Sequence, residues 1–85
     1  MTDSTLVPEI AELVRSVAKL APETVIVGET RLVEDLGVDS LDLVGLFLEI
    51  QDRYDIAVNE DDVPGLQRVA DLASYVAQRL RPAAA

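Results

Sequence analysis

The sequence predicts an all-α protein, a small four-helix bundle of three long helices and one short helix, with a long first loop. Three observations predict it. Apolar residues recur at helical spacing in three separate stretches. Capping residues, prolines and glycines punctuate those stretches. With only 85 residues, the chain has room for one small core. A single domain is expected over 1–85, with its core over about 6–80 and a frayed tail, R-P-A-A-A, at 81–85.

The first helix is expected from about Leu6 to Leu20. Leu6, Ile10, Leu13, Val14, Val17 and Leu20 share one face. Pro8 suits a first helical turn, where its missing N–H costs little. Glu9 and Glu12 come early, Arg15 and Lys19 late, which complements the helix dipole. Ala21 to Asp39 then reads as a long connection, pinned to the core by Val25, Val27, Leu32, Val33 and Leu36, with a short turn at Arg31 to Leu36. Gly37 permits a sharp bend before the next helix.

The second helix is expected from Ser40 to Tyr54, with Asp39 as N-cap and Asp42 in its first turn. A short helix follows at Asn59 to Val63, capped by Asn59, with Glu60, Asp61 and Asp62 in its first turn and Pro64-Gly65 as its stop. The last helix covers Val69 to Leu80, with Val69, Leu72, Ala73, Val76 and Leu80 inward.

Composition narrows the function. The chain has neither cysteine nor histidine. That excludes disulfides, thiolate chemistry, the Ser-His-Asp triad and the commonest zinc ligand. Sixteen acids against seven bases give a net charge of −9, which disfavours nucleic acid and favours a partner with a basic patch. The same acids also serve solubility alone. No run reaches the roughly 18–20 apolar residues of a membrane span, and M-T-D-S-T-L-V-P-E lacks the pattern of a secretion signal. A soluble, cytoplasmic monomer is expected. Hydrophobic content of 49% argues against disorder.

The second helix carries two apolar stripes. Leu43, Leu46, Phe47, Ile50 and Tyr54 fall on one side; Leu41, Val44 and Leu48 fall nearly opposite, with Gly45 beside them. The first stripe is broader and holds both aromatics, so it is assigned to the core. The second is then an exposed docking strip flanked by Asp39, Asp42, Glu49 and Asp52, unless the Ala21–Asp39 loop covers it.

Ser40 stands between two aspartates in G-V-D-S-L-D, Gly37 to Asp42. Four readings compete for it. A serine at a helix start is commonly a cap. D-S-L after a glycine is loosely similar to the G-D-S-L esterases, but a nucleophile needs a general base and this chain has no histidine. Asp35, Asp39 and Asp42 do not have the spacing of an EF-hand loop, which leaves at most a weak surface cation site. The fourth reading needs no internal base: Ser40 is modified by another enzyme, at a helix N-terminus that favours an attached phosphate.

At these residues the chain resembles the acyl carrier proteins, whose modified serine lies in D-S-L at the start of the second helix, preceded by L-G-x. Here the run is L-G-V-D-S-L-D, Leu36 to Asp42. The resemblance extends to E-D-L at Glu34 to Leu36, Tyr54-Asp55 closing the second helix, Ile56-Ala57-Val58 before an acidic short helix, and Val69 opening the last. It covers about Leu6 to Leu80.

The resemblance implies that a phosphopantetheinyl transferase attaches 4'-phosphopantetheine from coenzyme A to Ser40. The arm's thiol would carry acyl groups as thioesters, so the chain is a carrier and not an enzyme, and needs no cysteine of its own. It implies docking through Asp39, Leu41, Asp42, Val44, Leu48 and Glu49 to the transferase and to acyl-loading, acyltransferase and condensing enzymes; Gly45, a departure from the family, is expected to serve close approach by a partner on the same face. Fatty-acid synthase carriers commonly have a glutamate where this chain has Gly45, and acids near Gln51 and Arg53. The expectation is therefore a carrier of polyketide or related specialised biosynthesis. A fatty-acid synthase carrier, a peptidyl or aminoacyl carrier (more often G-G-[HD]-S) and an unmodified acidic adaptor stand as alternatives. Cargo inside the bundle and cargo outside it both stay open.

Overall fold

The computed structural model describes residues 3–80, and side chains from Leu6 onward. The expected tail at 81–85 lies outside the described residues. Among the described residues the elements are α1 (Asp3–Val17), α2 (Ser40–Tyr54), a short 3-10 helix (Glu60–Gly65) and α3 (Val69–Leu80). α1 packs on both α2 and α3, more extensively on α3. The core between them is made of Leu6, Ile10, Leu13 and Val14 from α1, Leu46 and Ile50 from α2, and Val69, Leu72, Ala73 and Val76 from α3.

α1 corrects the sequence reading at both ends. It begins at Asp3, so Pro8 lies in its second turn and not its first. The proline removes one backbone bond, and complete burial of Leu6 and Ile10 on either side offsets that loss. The helix stops at Val17 because Lys19 adopts a left-handed conformation, φ 55°. The Leu20 N–H then bonds back to the Arg15 carbonyl (2.9 Å), as in a Schellman cap. Leu20 thus packs on the core from outside the helix.

The bounds of α2 are those expected, and its ends explain them. Asp39 is extended (ψ −179°), and its Oδ1 accepts from the Asp42 N–H at 2.9 Å. At the other end Asp55 is left-handed and its N–H bonds to the Gln51 carbonyl.

The long loop is pinned, but only two of the five expected residues take part. Leu32 is buried and Leu36 half-buried, whereas Val25, Val27 and Val33 are exposed. Val38 and Ile26 take their place against the core. The physical reason is a short pairing of the loop with the start of α3. The Leu32 N–H donates to the Gln67 carbonyl, Val69 N–H to Thr30 and Ala70 N–H to Gly28, at 2.8–3.0 Å. These bonds satisfy N–H groups that α3 would otherwise leave open. They also set which loop residues turn inward. Arg15 adds a clamp from α1, donating through Nη2 to the Thr24 carbonyl at 2.9 Å. The expected turn at Arg31 to Leu36 is present, closed by Asp35 N–H to the Arg31 carbonyl and Gly37 N–H to Val33.

Two further corrections concern the C-terminal half. The short helix is a 3-10 helix that starts after Asn59, which makes no side-chain cap bond, and it includes Pro64 and Gly65. Proline's fixed φ suits a 3-10 turn, so Pro64 extends the segment and does not stop it. Leu80, expected inward, is exposed at 37%, because the core cluster ends at Val76 and Ala77.

Candidate functional site

The first residue of α2 is Ser40, and it is exposed. The bend that presents it is made by Gly37, at φ +69° with nothing within 4 Å of a Cβ placed there. Only glycine takes this conformation without strain. Val38 is then buried and anchors the chain directly before the site. Capping falls to Asp39 and not to Ser40. Among the described residues the Ser40 hydroxyl has no hydrogen-bond partner.

The two stripes of α2 separate as expected. Leu46 and Ile50 are buried, and Leu43, Phe47 and Tyr54 are half-buried against the core. Leu41, Val44 and Leu48 stand 81%, 57% and 58% exposed. The loop therefore does not cover the second stripe. Asp39 and Glu49 are exposed beside it, and Asp42 is partly exposed. Gly45 is half-buried and turned toward α1, since a Cβ there would lie 3.4 Å from Val17 Cγ1.

A groove of about 320 Å³ lies between α2, the Arg31–Leu36 turn and the 3-10 helix. Its apolar lining comes from Val33, Leu43, Phe47, Val63, Pro64 and Leu66. Leu43 and Phe47 sit three and seven residues after Ser40 and share its side of the helix. Sequence reasoning missed this groove. It found Leu43 and Phe47 as inward residues, but Val33 and Pro64 reach them only through the loop pairing and the 3-10 geometry.

Among the described residues no group of three or more His, Cys, Asp or Glu side chains converges as a metal site. Asp35 is engaged elsewhere, accepting from the Arg31 N–H at 2.8 Å. At the far end of α2 the Tyr54 hydroxyl donates to Glu9 Oε1 at 3.1 Å. Burial, reinforced by this carboxylate, holds the phenol above its usual pKa. Among the described residues no helix is long and apolar enough to cross a membrane.

The residues present fit a phosphopantetheine group. An exposed, unbonded hydroxyl stands at the N-terminus of a fifteen-residue helix, on the same side as Leu43 and Phe47, which line an apolar groove. Comparison with known proteins agrees. The profile of the family described as "Phosphopantetheine attachment site" matches residues 8–76. The chain is 35% identical over 71 residues to an acyl carrier protein of Brachyspira hyodysenteriae, covering 84% of this chain and 91% of that protein. It is 31% identical to an acyl carrier protein of Rhodococcus erythropolis, over 88% of this chain and 81% of that one. It is also 30% identical to the meromycolate extension acyl carrier protein of Mycobacterium tuberculosis, over 89% of this chain and 65% of that protein. The solution structure of a candidate acyl carrier protein from Anaplasma phagocytophilum superposes with a TM-score of 0.83 at 28% identity, covering 98% of this chain and 97% of that one. Members of this family are carriers on which modifying and acyl-handling enzymes act, not enzymes themselves. The match over most of its length, on a helical bundle that presents a bare serine at the head of α2, establishes that this chain belongs to the acyl carrier proteins.

Proposed function

We propose that this chain is a single carrier domain holding acyl groups as thioesters on a 4'-phosphopantetheine arm at Ser40, in polyketide or related specialised biosynthesis. The observation that carries the attachment site is the exposed Ser40 hydroxyl, held at the N-terminus of α2 while Asp39 takes over the capping. The arm, when bound, supplies the thiol that this cysteine-free chain lacks. The chain's own residues supply position. Gly37 and Val38 aim the serine outward, and Leu43 and Phe47 offer an apolar wall beside it.

Docking is assigned to Asp39, Leu41, Asp42, Val44, Gly45, Leu48 and Glu49. Leu41, Val44 and Leu48 supply apolar contact area, and the acids orient basic partners and speed their approach. The partners are a phosphopantetheinyl transferase and acyl-loading, acyltransferase and condensing enzymes, met by a cytoplasmic monomer. Gly45 sits turned toward Val17, at the α1 edge of this face. The specialised pathway is supported by Gly45, Gln51 and Arg53, which leave α2 less acidic than the fatty-acid synthase pattern.

Intact mass tests the attachment. The chain is incubated with coenzyme A and a broad-specificity transferase, beside Ser40→Ala. A gain of one phosphopantetheinyl group, absent in the variant, is expected; no gain on a folded chain refutes the reading. Housekeeping fatty-acid synthase enzymes should charge and elongate this carrier poorly. Elongation equal to that of their own carrier would place it in fatty-acid synthesis instead.

A further inference from the structure

The Glu60–Gly65 segment has no buried residue of its own, yet it walls two grooves. Val63 and Pro64 stand across from Leu43 and Phe47 in the groove beside Ser40. Val63 and Glu60 also flank a second groove with Val44 and Leu48 of the exposed stripe. Burial therefore does little to hold this segment, and without another restraint it would belong to the low-stability end of the fold.

The restraint is a polar cluster with α3. The Tyr75 hydroxyl donates to Asp62 Oδ2 at 2.8 Å and accepts from the Asn59 N–H at 3.1 Å. Arg79 Nη2 donates both to the Tyr75 hydroxyl (2.7 Å) and to Asp62 Oδ2 (3.2 Å). The Arg79 guanidinium lies 4.5 Å from the Tyr75 ring centroid, within cation–π range. Among the described residues, Asp62 is the one side chain of the segment tied by a hydrogen bond. Two further side-chain bonds act here: the Val58 N–H donates to Gln51 Oε1 ahead of the segment, and Gln67 Nε2 donates to the Pro64 carbonyl near its end.

We propose that Asp62, Tyr75 and Arg79 are positioning residues: a clamp that places Val63 and so sets the width of both grooves. Asp62 directly precedes Val63, so releasing its carboxylate frees the wall itself. Charge-assisted bonds sharing one oxygen suit this task, because they fix an exposed segment without a core beneath it. A wider groove beside Ser40 would shield an attached acyl thioester less from water; that consequence rests on the carrier reading above, and the placement of the segment does not.

The test uses the full, unmodified chain. Tyr75→Phe keeps the ring and removes the hydroxyl; Arg79→Gln removes the charge; Arg79→Lys keeps a cationic donor. Amide exchange is followed at Asp62 and Leu66, whose N–H groups bond to the Asn59 and Val63 carbonyls. The first two variants should speed exchange at both amides by about tenfold and shift the methyl resonances of Val63 and Leu43. Ile50 and Val76 should keep their protection, and Arg79→Lys should stay close to wild type. Unchanged exchange at Asp62 would overturn the proposal, and so would equal acceleration at Ile50 and Val76. On chain carrying an octanoyl thioester, hydrolysis should accelerate in the same two variants. Unchanged hydrolysis with accelerated exchange would overturn the link to cargo. Failure to accept phosphopantetheine would count against the carrier reading alone, since the exchange results are obtained without it.

Discussion

Leu46 and Leu48 lie two residues apart on α2 and should respond to the same substitution in opposite ways. Leu46 is 1% exposed, inside the cluster with Ile10, Ile50 and Val76. Truncating a buried leucine to alanine costs about 2–5 kcal/mol, as lost burial plus a cavity. For 85 residues, total stability is on the order of 4–13 kcal/mol. Leu46→Ala therefore removes a large share, and the melting temperature should fall by more than about 10 °C. Leu48 is 58% exposed, so Leu48→Ala should stay within about 0.5 kcal/mol of wild type. Its effect should appear in docking instead. Loss of an apolar contact worth about 1 kcal/mol would lower kcat/KM for phosphopantetheine transfer about fivefold. Thermal unfolding by circular dichroism reads the first effect, and steady-state transfer kinetics the second. If Leu48→Ala destabilised the fold as much as Leu46→Ala, the exposed stripe would be covered and the docking face wrongly placed. If it changed neither stability nor kcat/KM, the stripe would be exposed but unused by the transferase.

Further outcomes follow from the ends and glycines of the helices. Asp39→Ala should cost about 0.5–2 kcal/mol in urea unfolding, because it removes the bond to the Asp42 N–H, whereas Ser40→Ala should leave stability within about 0.5 kcal/mol. Gly37→Ala should cost about 1–2 kcal/mol for backbone strain at φ +69°. Gly45→Ala should instead stabilise α2 by roughly 0.5–1 kcal/mol, since its Cβ would make an ordinary contact with Val17. The Tyr54 phenol is held above its usual pKa by burial and then by Glu9, so the folded chain grips this proton more tightly than the unfolded one. The stability it contributes is fully present below about pH 10 and is lost as pH rises through the folded value. Glu9→Gln should lower the phenol's absorbance titration midpoint and flatten the alkaline loss of stability.

What could be read from the sequence was local. The bounds of α2 followed from Asp39, Gly37 and the apolar period, because a cap and a left-handed glycine act on their immediate neighbours. The two stripes of α2 followed from helical geometry alone. The start and inner face of α3 followed from the spacing of Val69, Leu72, Ala73 and Val76. The composition excluded imidazole and thiol chemistry, which is what favours the proposal that Ser40 is acted upon by another enzyme.

Tertiary structure decided whatever depended on a distant partner. Alternating valines in the loop do not say which of them faces inward. The pairing of Thr30 and Leu32 with Gln67 and Val69 says so, and it buries Leu32 and Val38 while leaving Val25, Val27 and Val33 outside. Lys19 carries no sign of a left-handed turn, yet the bond from Leu20 back to Arg15 ends α1 there. Leu80 keeps the helical period but has no core neighbour. The groove beside Ser40 and the clamp of Asp62, Tyr75 and Arg79 join residues from three parts of the chain. The chain's local signals named the serine and the helix that presents it; only the packing of loop, 3-10 segment and α3 around that helix built the walls beside it, because burial and hydrogen bonding there link residues far apart in sequence.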